Sequence, residues 1–67
     1  MSHYNMQRVL AVKLQNWILN PDREEWTVFC RKIRLHTGYG GRVLEKILKE
    51  DYPQFKIEEE VLVDVRE

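Results

Sequence analysis

Gly38, Gly40 and Gly41 are the chain's three glycines, and they fall within four positions just ahead of a segment that reads as a helix. Glycines at a helix start let backbone N–H groups approach an anion closely, and the helix dipole favours negative charge there. Around them stand Arg31, Lys32, Arg34, Arg42, Lys46 and Lys49 against Glu45 alone, so residues 31 to 49 carry a balance of +5. Residues 55 to 67 carry −3, with Lys56 and Arg66 against Glu58, Glu59, Glu60, Asp64 and Glu67. Net charge is zero, which argues against a strongly basic nucleic-acid binder. The polarity of the chain, basic in the middle and acidic at the end, says more than the sum.

Three other chemistries fit the residues poorly. A phosphate-binding P-loop needs a strand before G-x-x-x-x-G-K-[ST], whereas here a helix precedes the glycines and Arg42-Val43 stand where Lys and Ser or Thr are required. A dinucleotide fingerprint needs a βαβ unit of about 30 residues, which the chain cannot supply after three helices. Cys30 and His36 are six apart on one predicted helix and face different directions, and with His3 they make no zinc-ligand spacing. No nucleophile stands beside a base, and the carboxylates lie mostly in a helix start or the acidic end, so no catalytic residue, metal or cofactor is expected.

Sixty-seven residues make one small domain. A chain of this length buries only about 60% of the surface that its unfolded form exposes, so its core is thin and dimerisation is a natural supplement. The lone Cys30 forms no internal bridge, which suits a reducing interior. No apolar run approaches the roughly 20 residues that span a bilayer, and no secretory signal is visible, so a cytoplasmic protein without a membrane partner is expected.

The elements that position the basic residues follow from hydrophobic period. Met6, Leu10, Leu14 and Ile18 recur four apart, with Val9 and Trp17 widening the stripe, and predict helix 1 over residues 4 to 19. Pro21 pushes Asn20 out of the helical region and ends that helix. Asn20 as N-cap, Pro21 in the first helical position and Asp22, Glu24 and Glu25 in the first turn then predict the start of helix 2. Trp26, Phe29, Cys30 and Ile33 form its apolar stripe, and Gly38 closes it. Helix 3 begins near Gly40 to Arg42, carries Val43, Leu44, Ile47 and Leu48, and ends near Tyr52, before Pro53. Alternation from Phe55 to Val65 reads as β structure, either a hairpin turning at Glu58 to Glu60 or one long strand with a bulge.

"FCRKIRLHTGYGGRVLEKILKE" resembles the helix-turn-helix of bacterial and archaeal DNA-binding proteins. Thr37-Gly38-Tyr39 stand at its turn, Leu44, Ile47 and Leu48 at the apolar positions of its second helix, and Ile33 at the buried position of its first. Arg34 occupies a position where that family usually has a small residue, and Gly40 one where Ser, Thr or Asn usually caps the second helix. With helix 1 ahead and β structure behind, residues 1 to 67 resemble a single small winged helix-turn-helix domain of prokaryotic, archaeal or viral type. The resemblance implies a mainly α fold with a small β element: a three-helix core followed by a C-terminal hairpin (wing) or single strand.

It also implies a DNA-binding regulator of transcription or replication, with helix 3, about 40 to 51, in the major groove. Carried over position by position, the groove-facing set is Gly41, Arg42, Glu45, Lys46 and Lys49. Arg42 would read a base through its planar fork, Lys46 and Lys49 would meet phosphates, and Tyr39 with Arg31 or Lys32 would reach the flanking backbone. Each has a plainer reading: the lysines as solvated charges, Glu45 paired with Arg42 or Lys49 on the helix surface, Tyr39 packed in the turn. A wing tip of Glu58, Glu59 and Glu60 would be repelled by phosphates, so the tip either points away from DNA or serves another purpose. The valine-rich strand, or Val9, Ala11 and Val12 off the main Met6–Ile18 stripe of helix 1, would suit a homodimer. The alternative to DNA binding is a winged-helix interaction module or the dimerisation domain of a larger assembly.

Overall fold

A computed structural model describes residues 3 to 66, with side chains from Met6 onward; the side chain of His3 and all of Glu67 lie outside the described part. Three helices, α1 (His3–Leu19), α2 (Trp26–Thr37) and α3 (Gly41–Asp51), are followed by two strands, β1 (Phe55–Glu58) and β2 (Val61–Asp64). The strands pair antiparallel in one hairpin, with Phe55 opposite Asp64, Lys56 opposite Val63, Ile57 opposite Leu62 and Glu58 opposite Val61.

The core takes Leu10, Leu14 and Trp17 from α1, Trp26, Phe29 and Ile33 from α2, and Leu44 and Leu48 from α3. Phe55, Ile57 and Leu62 close it from the hairpin side, partly buried. Trp17 is its aromatic hub. Its ring stacks on Phe29 at 5.2 Å between centroids and 18° between planes, and meets Trp26 edge-on at 5.2 Å. Val9, expected to widen the α1 stripe, is instead 41% exposed. At 100° per residue it falls on the flank of the helix away from Leu10 and Leu14.

The start of α2 differs from the sequence expectation. Asn20 and Pro21 do not open the helix; Glu25 is its N-cap, with extended backbone and no side-chain cap of its own. Residues 20 to 25 are held outside the helix by other partners. The Asn20 carboxamide oxygen accepts the Asp22 N–H at 2.9 Å, a local turn that competes with helix. The Arg23 guanidinium donates to the carbonyls of Ile18 and Asn20, satisfying the end of a helix that has no basic residue in its last turn. The Trp17 indole N–H donates to the Glu24 carbonyl at 2.9 Å.

The cap of α2 comes from the hairpin, thirty-three residues away in sequence. The Glu60 carboxylate accepts the Thr27 N–H at 2.8 Å, and the Glu60 carbonyl accepts the Trp26 N–H at 3.1 Å. The hairpin turn is Glu59-Glu60, and both residues adopt positive φ, 50° and 72°, as a tight two-residue turn requires. Left-handed backbone disfavours residues with a Cβ, and here the two bonds to α2 offset that cost. This also answers where the acidic tip goes: one of its carboxylates is turned onto the positive end of a helix.

The Thr27 bonds hold the Glu60 carboxyl below its ordinary 4.5. A depressed folded-state pKa supplies stability in full above the unfolded-state value, and that stability is lost as pH falls through the folded one. Glu60→Gln is therefore expected to lower the melting temperature at pH 7 and to converge with wild type as pH drops below about 4.5. Melting curves by circular dichroism from pH 7 to pH 3 check this. A constant gap between the two proteins over that range is the contrary result.

Candidate nucleic-acid interface

The turn between α2 and α3 is locked by local bonds. Gly38 takes φ 84°, and its N–H donates to the Arg34 carbonyl at 2.8 Å. A residue with a Cβ would be strained in this conformation. The Thr37 hydroxyl donates to the Ile33 carbonyl at 2.8 Å and accepts the Tyr39 N–H at 3.1 Å. Tyr39, half-buried, packs against the core, so its packed reading describes its place better than a position on the flanking surface.

α3 presents its core face through Leu44 and Leu48, with Val43 and Ile47 half-buried beside them. Arg42, Glu45, Lys46 and Lys49 are exposed and line one surface concavity. Among the described residues, Arg42, Lys46 and Lys49 form no ion pair within 4 Å, and neither do Arg31 and Arg34. The N-cap of α3, Gly40, makes no side-chain cap bond, so no capping side chain accepts from the N–H groups that open this helix.

The other expected residues separate. Gly41 faces α2 rather than the open surface: a Cβ built there would lie 3.5 Å from the Cys30 sulfur. It sits at the contact between α3 and α2. Lys32 points to the α1 side of α2, where it pairs with Glu24 at 3.0 Å beside Lys13, Asn16 and His36. Arg31 is exposed on the opposite flank of α2, on the side of Arg34 one turn on.

Arg34, absent from the sequence-derived candidate set, lies beside it. Its side chain lies over the start of α3, with Cδ 3.6 Å from the place of a Cβ on Gly40. Its stem thus lies in van der Waals reach of the first residues of α3. The signal was present in the pairing of a long cation on one helix with two glycines opening the next.

The hairpin borders the other side of α3. Leu48, Phe55, Ile57 and Val65 line a groove there with Glu45, Lys49 and Lys56 at its edge. Lys56 pairs with Glu58 at 3.3 Å. Cys30, half-buried between α2 and α3, has its thiol pushed up to about 11 by burial, with the Glu45 and Glu60 carboxylates adding to the effect. It is a poor nucleophile at neutral pH. Among the described residues no group of three His, Cys, Asp or Glu is placed to hold a metal ion, and no helix is long and apolar enough to cross a membrane. No protein-family model, curated protein or solved structure matches the chain. What it binds is read from its own surface.

Proposed function

We infer that this chain binds double-stranded DNA, with α3 in the major groove, as a small winged helix-turn-helix regulator of transcription or replication. One observation carries the reading: Arg42, Lys46 and Lys49 share an exposed face of α3 and none is neutralised by an ion pair. Cations left unpaired on an exposed helix face are available to phosphates, and each phosphate neutralised releases condensed counterions. Arg34 extends the same charge toward the start of α3, and Arg42 stands one residue inside that start, where a recognition helix meets base edges. The inward turn of Glu60 supports the reading as well, since it draws one carboxylate of the hairpin tip toward α2.

Fluorescence anisotropy of a labelled mixed-sequence duplex, titrated at several salt concentrations, tests it. Affinity is expected to fall by roughly 0.9 log units per phosphate contact per log of salt, and Arg42→Ala is expected to weaken binding. Absence of binding at the lowest salt, with the protein folded, contradicts the reading.

A second reading has its own observation. Val12 and Leu19, seven residues apart on the outward side of α1, are 54% and 72% exposed. Two large apolar side chains exposed on one side of α1 suit a homodimer or the dimerisation domain of a larger assembly. Sedimentation at micromolar concentration decides this point, and a monomeric mass excludes the dimer.

A further inference from the structure

Within the basic face of α3 stands one carboxylate, and it is not paired with its neighbours. Glu45 is exposed and lines the same concavity as Arg42, Lys46 and Lys49. Lys49 lies four residues ahead and Arg42 three behind, the spacings at which surface ion pairs form on a helix. Among the described residues Glu45 nonetheless makes no ion pair within 4 Å and no hydrogen bond. A carboxylate on a phosphate-binding face is repelled by the backbone. It is compatible with a duplex only where it meets a hydrogen-bond donor on a base edge.

The major groove offers two such donors, the exocyclic amines of cytosine and adenine. Beside the adenine amine lies N7, an acceptor that repels the second carboxylate oxygen. Beside the cytosine amine lies a C–H, which does not. Thymine, with O4 in place of the amine, is rejected outright. Three residues of α-helix advance about 4.5 Å, close to the base-pair rise of about 3.4 Å, so Arg42 and Glu45 reach neighbouring base pairs.

We propose that Glu45 is the residue that selects sequence in this interface, by accepting a hydrogen bond from a cytosine amine at the base pair next to the one whose guanine Arg42 contacts. This rests on the DNA-binding reading and narrows it to sites in which a guanine and a cytosine occupy adjacent pairs. Glu45 thereby trades general affinity for discrimination: it weakens binding to every duplex through repulsion and restores it only where cytosine is in place.

The test is selection from a duplex pool with a randomised centre, performed on wild type, Glu45→Ala and Glu45→Gln, with affinities then measured on the selected duplex and on its cytosine-to-thymine variant. Wild type is expected to enrich cytosine beside guanine and to prefer it over thymine by about 5- to 150-fold, the range for one mismatched base pair. Glu45→Ala loses that preference and binds mixed sequence more tightly. Glu45→Gln shifts the preference to adenine, because its carboxamide matches the adenine N6 and N7 pair. Wild type that binds DNA without the cytosine preference, or variants that keep it, overturn the role of Glu45 and leave DNA binding standing. Wild type that binds no duplex at low salt overturns both.

Discussion

The variant Arg42→Gln/Lys46→Gln/Lys49→Gln is expected to stay folded and to lose about three orders of magnitude in affinity for a selected duplex at 0.1 M salt. The estimate has two parts. Each lysine that neutralises a phosphate contributes about 0.9 to the slope of log affinity against log salt, so removing two flattens the slope by about 1.8. Referred to 1 M salt, that is roughly 60-fold at 0.1 M. A planar fork on guanine contributes about 1–3 kcal/mol, or a further 5- to 150-fold. The three side chains are exposed and make no ion pair among the described residues, so glutamine removes charge without disturbing a packed contact. Circular dichroism checks that the helices remain, and anisotropy measures the loss. Two results would count against the assignment: an unchanged salt slope, or an equal loss in a control replacing Lys13 and Lys32, which lie on the α1 side.

Trp17→Ala is expected to cost about 3–5 kcal/mol, a large share of the stability of the fold. A domain of 67 residues has a total stability of about 3–10 kcal/mol, and truncating a buried tryptophan costs about 3–5 kcal/mol. Trp17 is 4% exposed, stacks on Phe29 and meets Trp26 edge-on. Its indole N–H also holds the Glu24 carbonyl, and Arg23 lies 5.7 Å from its ring centre. Removing it therefore empties the core and releases the segment that sets where α2 begins. Trp17→Phe keeps an aromatic ring against Phe29 and loses the hydrogen bond, so it is expected to cost only about 1–3 kcal/mol. Urea unfolding followed by circular dichroism separates the two variants. A cooperative transition for Trp17→Ala within about 1 kcal/mol of wild type would show that the hub is not central.

Much of this architecture was legible in the chain because its signals are local. Leu10, Leu14, Leu44 and Leu48 recur four apart, and that period alone places α1 and α3. Gly38 marks the end of α2 because a left-handed C-cap favours a residue without Cβ. The alternation from Phe55 to Val65 distinguishes strand from helix without reference to any neighbour. The face formed by Arg42, Lys46 and Lys49 follows in turn from helical spacing.

What sequence could not yield depends on partners distant along the chain. Asn20-Pro21 has the composition of a helix start, but Trp17, Arg23 and the hairpin compete for the same backbone, and together they outweigh a local cap. The turn at Glu59-Glu60 has no residue that favours positive φ, and only its attachment to Trp26 and Thr27 makes it tenable. Side-chain direction was likewise a tertiary decision: Gly41 turned inward to Cys30, Lys32 was claimed by Glu24, and Arg34 was carried over the start of α3. The sequence by itself determined which segments are helical or extended and where charge concentrates, since both depend on residues a few positions apart. Only the tertiary structure decided which charges share a surface and where α2 begins, because those outcomes depend on bonds between segments that meet only when the chain has folded.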